Sequence, residues 1–136
     1  MVRVILDTNI WISAIFFGGK IGRILTLWKD GKITVVFSQE TFLELEEKLL
    51  FWGKKLGGEK EVAEYLLSIN HHGLFVYPQE KVTICRDVDD NRLLESAQSA
   101  NAKFLVSGDK DLLTIKKFGK TEIISPRKFL EIFMLY

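Results

Sequence analysis

The segment VRVILD occupies residues 2–7. Its first five residues are mostly apolar and β-branched, which is typical of a buried strand, and the apolar run stops at Asp7. Three more short apolar runs, each preceded by helix-like spacing of apolar residues, follow at 33–37, 104–106 and 123–124. Strands interleaved with helices favour a parallel sheet covered on both faces. We therefore predict an α/β fold, a three-layer α/β/α arrangement with a central, mostly parallel sheet, formed by residues 1–136 as one domain.

Small polar residues and glycines predict where several helices begin and end. Ser38 is expected to cap the helix after the second strand, and Gly53, then Gly57-Gly58, to break that helix. Asp90 is expected to cap a later helix, which follows a short extended segment at 82–84. Ser125 precedes a proline, a pairing typical of the start of a helix.

Composition restricts the class of protein. With 47% hydrophobic and 27% charged residues in 136, the chain has ample core material and disorder is excluded. The net charge of +1 means that any surface for nucleic acid must be local. Cys85 is the only cysteine, so no internal disulfide forms, which suits the reducing cytoplasm; we expect it to be a small buried apolar residue. Neither a signal peptide nor a membrane-spanning run is predicted.

Three acids are expected at one edge of the sheet. Asp7 follows the first strand, Asp90 heads a helix, and Asp109 stands two residues beyond the strand that ends at Val106. In open α/β sheets, ligands bind outside the carboxyl ends of the strands. Singly, Asp90 has an ordinary alternative as a helix cap and Asp109 as a turn residue. Their joint placement favours a functional cluster.

Carboxylates that are forced together repel one another, and a hard divalent cation relieves that repulsion. Oxygen ligands favour Mg²⁺ or Mn²⁺ over zinc, which prefers histidine or cysteine. Such a metal activates water and stabilises charge on a phosphoryl oxygen, which suits cleavage of a phosphodiester. Acids in this arrangement therefore predict a metal-dependent nuclease.

Four segments in order resemble the motifs of the PIN domain family, the fold of the VapC-type toxins of prokaryotic toxin–antitoxin pairs. Val4–Asn9 resembles the first motif, an apolar strand followed by an aspartate, a small hydroxyl residue and Asn or Ser. The others are the helix that presents Glu44, the aspartate-headed helix at 90–97, and the strand that leads to Asp109, where Ser107 replaces the usual threonine.

The resemblance implies a Mg²⁺- or Mn²⁺-dependent endoribonuclease that cleaves single-stranded RNA with metal-activated water. It also implies a homodimer and inhibition by a small antitoxin. The implied metal ligands are Asp7, Glu44, Asp90 and Asp109. Asn9 and Ser107 are implied to orient them. Of the remaining acids, Asp111 is expected to join the site more readily than Asp87 or Asp89, which would shape the loop or cap the helix.

Other patterns leave alternatives open. The main rival is a PIN fold that binds RNA or a protein without cutting it, and a receiver-like phosphoacceptor is disfavoured because Thr8-Asn9 supplies no acid beside Asp7. His71-His72 is interpreted as a helix end. The basic stretch 103–128 is either a guide for a phosphate backbone or a solvated surface. The aromatic tail is expected to pack in the core or a dimer interface, through Phe129, Phe133 and Tyr136.

Overall fold

The structure is a computed structural model, and it describes residues 1–133. None of the helices in this range combines the length and the hydropathy needed to cross a lipid bilayer. Strands and helices succeed one another along the chain. In order they are β1 (Val2–Leu6), α1 (Thr8–Phe16), α2 (Arg23–Lys29), β2 (Ile33–Phe37), α3 (Gln39–Leu56), α4 (Glu59–His72), β3 (Leu74–Phe75), α5 (Val88–Ala100), β4 (Phe104–Val106), α6 (Lys110–Ile115), β5 (Lys117–Phe118), β6 (Thr121–Ile124) and α7 (Pro126–Ile132).

The strands form one sheet in the order β3-β2-β1-β4-β6-β5. Neighbours from β3 through β6 are parallel, and only the edge strand β5 runs antiparallel to β6. β1 lies in the middle, where Leu6 is paired with Val106 of β4. The prediction of an α/β fold with a central, mostly parallel sheet is therefore confirmed.

Apolar residues of β1 enter two different cores because successive side chains of a strand point to opposite faces. Val4 and Leu6 join a cluster that includes Trp11 and residues of α2, α3, α4 and α7. Ile5 joins a second cluster that includes Leu94 and residues of α5 and α6. The sheet is thus covered on both sides, which gives the predicted three layers.

The aromatic residues near the carboxyl end pack in the larger core. Phe129 is fully buried, and its ring lies 5.8 Å from that of Phe104 and 4.9 Å from that of Phe133. This confirms the core alternative for these two tail residues. Tyr136, the third residue of the predicted tail, lies outside the described residues.

Two predicted boundaries around α3 have different outcomes. Ser38 caps the helix as expected: its hydroxyl accepts from the Thr41 amide, and the Thr41 hydroxyl accepts from the Ser38 amide. The predicted break at Gly53 is wrong, because α3 continues to Leu56, whereas the break at Gly57-Gly58 is confirmed, since Gly57 is the C-cap of the helix. A Cβ at Gly53 would lie 3.1 Å from a methyl of Val62, so glycine there permits close packing of α4.

The loop between β3 and α5 also differs from the expectation. The predicted extended segment at 82–84 forms no strand; the Val82 amide instead donates to Glu95 Oε2 at 2.9 Å. The cap of α5 is Asp87, three residues before the predicted Asp90, which lies in the first turn. Cys85 in this loop is half-buried against the second core. The pKa of its thiol is raised, chiefly because the group is partly removed from water.

Candidate functional site

The carboxyl ends of β1 and β4 place two of the predicted acids side by side. Asp7 follows β1 directly, and its amide donates to Val106 O at 3.0 Å, which extends the sheet pairing by one residue. Asp109 follows β4 and caps α6, where its carboxylate accepts from the Asp111 amide at 2.9 Å. Asp7 occupies the N-cap position of α1, so its carboxylate lies at the start of that helix.

A pocket of about 70 Å³ opens at this edge. It brings together all four acids implied as metal ligands, together with Asn9. The space admits an ion with a few waters but no nucleotide, so any larger substrate must lie across its mouth. Its lining consists of Asp7, Asn9, Glu44, Lys48, Asp87, Asp89, Asp90, Leu93 and Asp109.

Ser107 connects the two acids that follow the central strands. Its hydroxyl donates to Asp7 Oδ2 at 2.6 Å and accepts from the Asp109 amide at 3.0 Å. The Ser107 side chain is fully buried, so water cannot replace either contact. The hydroxyl therefore fixes one Asp7 oxygen relative to the Asp109 backbone, which agrees with the orienting position expected of this residue.

Glu44 enters the pocket from α3. Its Oε1 accepts from the buried Thr8 hydroxyl at 3.0 Å and lies 3.2 Å from Lys48 Nζ, one helical turn further on. Neither Glu46 nor Glu47 lines this pocket. Sequence reasoning assigned no role to Thr8, although a hydroxyl residue directly after Asp7 was a usable signal.

Burial and mutual repulsion perturb the acids of the pocket. Desolvation, together with the charges of Asp109 and Asp7, raises the pKa of Asp90 to about 7, and a hydrogen bond to Asp109 acts in the same direction. Desolvation also raises the pKa of Asp7, although the hydrogen bond from Ser107 opposes the shift. Partial protonation of Asp90 near neutral pH therefore lowers the negative charge of the pocket.

Asp111 was expected to join the acidic pocket more readily than Asp87 or Asp89, and the structure shows the reverse. Arg86 donates to both carboxylate oxygens of Asp111, at 2.9 and 3.2 Å, and Asp111 does not line the pocket. Asp87 and Asp89 do line it. Asp87 also caps α5 by accepting from the Asp89 amide at 2.9 Å, as the capping interpretation anticipated.

The donor chemistry of the pocket suits a hard divalent cation, since its acids offer only oxygen. As the side chains stand, no three His, Cys, Asp or Glu residues in 1–133 are arranged to hold a metal. Two of these acids have partners within the protein: Lys48 pairs with Glu44 at 3.2 Å, and Asp90 shares a hydrogen bond with Asp109.

The other candidate residues lie outside this pocket. His71 and His72 occupy the last turn of α4, which confirms their interpretation as a helix end. Neither lines the acidic pocket. Within the basic stretch 103–128, Lys117 lies on the edge strand β5 and Arg127 pairs with Glu131 at 3.4 Å. Whether this stretch guides a phosphate backbone stays a prediction.

Comparison with known proteins adds to this geometry. The fold is similar to that of a chain in the crystal structure of VapBC2 from Rickettsia felis bound to a DNA fragment from their promoter. The TM-score is 0.57 and the sequence identity 16%, and the match covers 91% of this chain and 98% of the other. An uncharacterized protein of Methanocaldococcus jannaschii, MJ1680, is 29% identical over 143 residues, covering 97% of this chain and 92% of that protein. The family model of the PIN domain matches residues 3–111, which include all four acids. The chain therefore belongs to the PIN domain family.

Proposed function

We propose that the protein is a metal-dependent endoribonuclease that cleaves single-stranded RNA. The observation that supports this most is the pocket at the carboxyl ends of β1 and β4, where carboxylates from four separate parts of the chain meet. PIN domains are generally nucleases, and membership of the family supports the same reaction class. We propose that residues 1–136 form a single domain of this kind, located in the cytoplasm.

The proposed metal ligands are Asp7, Glu44, Asp90 and Asp109, and the proposed metal is Mg²⁺ or Mn²⁺. Ser107 and Thr8 support these roles by holding one oxygen each of Asp7 and Glu44. Asn9 lines the same pocket and is proposed to assist them. Asp111 is proposed as an additional metal ligand, and its ion pair with Arg86 would have to break first.

Cleavage is proposed to leave a 5′-phosphate and a 3′-hydroxyl. A bound divalent cation supplies acidity to a water and stabilises charge on a phosphoryl oxygen. The protein's contribution is to hold the ligand oxygens in fixed positions, which the sheet pairing at Asp7 and the Ser107 hydroxyl support. The pKa of Asp90 is raised to about 7, so this side chain is partly protonated near neutral pH in the metal-free protein and would be ionised as a metal ligand.

We further propose that the protein is the toxin of a toxin–antitoxin pair. The likeness in fold to a chain of the VapBC2 structure supports this, and that structure pairs its proteins with promoter DNA. A small antitoxin protein is the proposed partner, and the active form is proposed to be a homodimer. A short neighbouring reading frame whose product binds this chain and suppresses its nuclease activity is the expected finding.

The nuclease proposal is tested by incubating single-stranded RNA with the protein in Mn²⁺, in Mg²⁺ and in EDTA. Cleavage is expected with either metal, and loss of cleavage with EDTA and in Asp7→Asn. Asp30→Asn, which removes an exposed acid at the end of α2, is the charge-matched control and should cleave normally. Cleavage that persists in both EDTA and the Asp7 variant contradicts the mechanism.

A second candidate is a PIN fold that binds RNA or a protein without cutting. The contact that favours it is the Lys48–Glu44 pair, which places a cation of the protein's own on a proposed ligand. Calorimetry with Mn²⁺ separates the two candidates, because a nuclease of this kind must bind the metal. Absence of Mn²⁺ binding supports the binding module.

A further inference from the structure

A line of exposed side chains leaves the acidic pocket along α3. Lys48 lines the pocket and has a side chain that is 46% exposed. Phe51 and Trp52 follow at three and four residues, 52% and 37% exposed, and Lys55 follows Phe51 at four. Residues three and four apart are neighbours on a helix surface. We call these four residues, Lys48, Phe51, Trp52 and Lys55, the α3 track.

Contacts within the track hold its aromatic rings and charges together. The rings of Phe51 and Trp52 meet edge to face with centroids 5.3 Å apart. Lys55 Nζ lies 5.1 Å from the centroid of the Phe51 ring. Lysine 48 is the one cation among the residues of the described chain that line the pocket, beside its many carboxylates. Lys48 Nζ carries three N–H donors and is paired with Glu44 at 3.2 Å, so donors remain on the α3 side for the phosphates of a strand that approaches the pocket.

We infer that the α3 track binds the single-stranded nucleic acid as it enters the acidic pocket. Lys48 and Lys55 contact phosphates and Phe51 and Trp52 stack on bases, the combination used by proteins that bind single strands without reading their sequence. From Lys48 to Lys55 the helix rises roughly 10 Å, about the length of three stacked nucleotides. The inference rests on the proposed function, because it names the route of the substrate to that site.

Charge and position favour a nucleic acid over a second protein chain as the occupant. The track has a cation at each end and is continuous with the pocket through Lys48. Its two aromatic side chains are both exposed and stand at right angles to each other, so they present differently oriented surfaces to the bases of a strand. The exposed aliphatic residues of α3, Leu43, Leu50 and Leu56, lie outside the track.

Binding is measured by fluorescence anisotropy with a labelled dodecauridylate RNA in EDTA, where no metal-dependent cleavage occurs. Lys48→Gln combined with Lys55→Gln is expected to lower affinity and to reduce the slope of log K against log salt by about 1.4, since each lost phosphate contact on a single strand accounts for about 0.7. The matched control, Lys54→Gln with Lys60→Gln, removes the same charge from α3 and α4. Equal effects of both pairs would overturn the inference.

The aromatic residues of the track are tested with Phe51→Ala and Trp52→Ala, each against Leu50→Ala, which removes an apolar side chain of α3 that is as exposed as Phe51 and more exposed than Trp52. Each aromatic variant is expected to weaken binding about 5- to 100-fold with an unchanged salt slope, as loss of base stacking does. Thermal unfolding checks that the variants fold. Unchanged RNA affinity in folded variants overturns the inference. A change in molar mass by light scattering without a change in RNA affinity also overturns it, because the track would then be a contact between copies of the chain.

Failure of the track and failure of the nuclease proposal give different results. If the wild-type protein cleaves RNA with Mn²⁺ but the track variants bind and cleave like their controls, the track is wrong and the nuclease stands. If the wild-type protein binds RNA through the track but does not cleave with any metal, the track stands and the protein is the non-cutting module.

Discussion

Asp90→Asn is expected to stabilise the metal-free protein at pH 8 and to change its stability little at pH 4. The pKa of Asp90 is raised from 3.8 to about 7 by burial first and then by the neighbouring charges of Asp109 and Asp7. Between pH 3.8 and about pH 7, the folded state holds a proton on Asp90 that the unfolded chain has lost. The free energy of unfolding therefore falls as pH rises through this window, and the loss is complete above about pH 7.

The size of the effect follows from the shift. A difference of about three pH units, at 1.36 kcal/mol for each, gives an upper bound of about 4 kcal/mol. Small movements of the pocket relieve part of this repulsion, so we expect Asp90→Asn to gain about 2 to 4 kcal/mol at pH 8. Asparagine keeps the shape of the side chain and has no proton to lose, so its curve lacks this pH dependence.

Urea unfolding in EDTA at pH 4, 6, 7 and 8 measures this difference, and subtracting the two curves cancels the titrating groups that do not interact with Asp90. Asp30→Asn, at the exposed end of α2, controls for the removal of one negative charge. Saturating Mn²⁺ should reverse the advantage of the variant, because the wild-type carboxylate then has a cation to bind. Parallel curves for wild type and Asp90→Asn across the whole pH range would refute the reasoning.

Three further substitutions test other parts of the structure. Ser107→Ala removes the 2.6 Å hydrogen bond to Asp7 and should weaken Mn²⁺ binding about 10- to 100-fold by calorimetry, while the circular dichroism spectrum stays unchanged. Lys48→Gln frees Glu44 from an exposed ion pair and should tighten Mn²⁺ binding about two- to fivefold; weaker binding would show that the lysine helps to shape the site. Gly53→Val forces side-chain atoms against α4 and should cost about 1 to 3 kcal/mol in urea unfolding, whereas an unchanged midpoint would mean that α4 moves freely.

Much of the fold was predictable because the local signals agree with the tertiary structure. The strand at Val2–Leu6 and the cap at Ser38 are both present as predicted. Gly53 misled because glycine suits either a helix end or a close helix contact, and only the position of α4 distinguishes them. The strand Lys117–Phe118 was missed because two residues are too short to show alternation; Gly119, with φ of +60°, was the available hairpin signal.

The candidate site was predictable where the sheet decides it. Asp7 and Asp109 follow strands whose carboxyl ends must meet, so the rule for parallel sheets was sufficient. Choosing Asp87 and Asp89 over Asp111 required tertiary information, because the partner of Asp111 is Arg86, 25 positions away in the sequence. The Thr8 contact with Glu44 likewise joins α1 to α3 across 36 positions, a distance over which local patterns say nothing.

The hydrogen bonds of the sheet continue into the acidic pocket on one side only. The Asp7 amide donates to Val106 O and the Ser107 amide to Ile124 O, both at 3.0 Å, whereas Glu44 is attached to the sheet through a helix. In amide hydrogen exchange, Asp7 and Ser107 should therefore be released only by opening of the central strands, at close to the full free energy of unfolding. The side of the pocket formed by Asp7 and Ser107 is thus held in place by the sheet, and any adjustment on cation binding is expected in the side chains that come from helices.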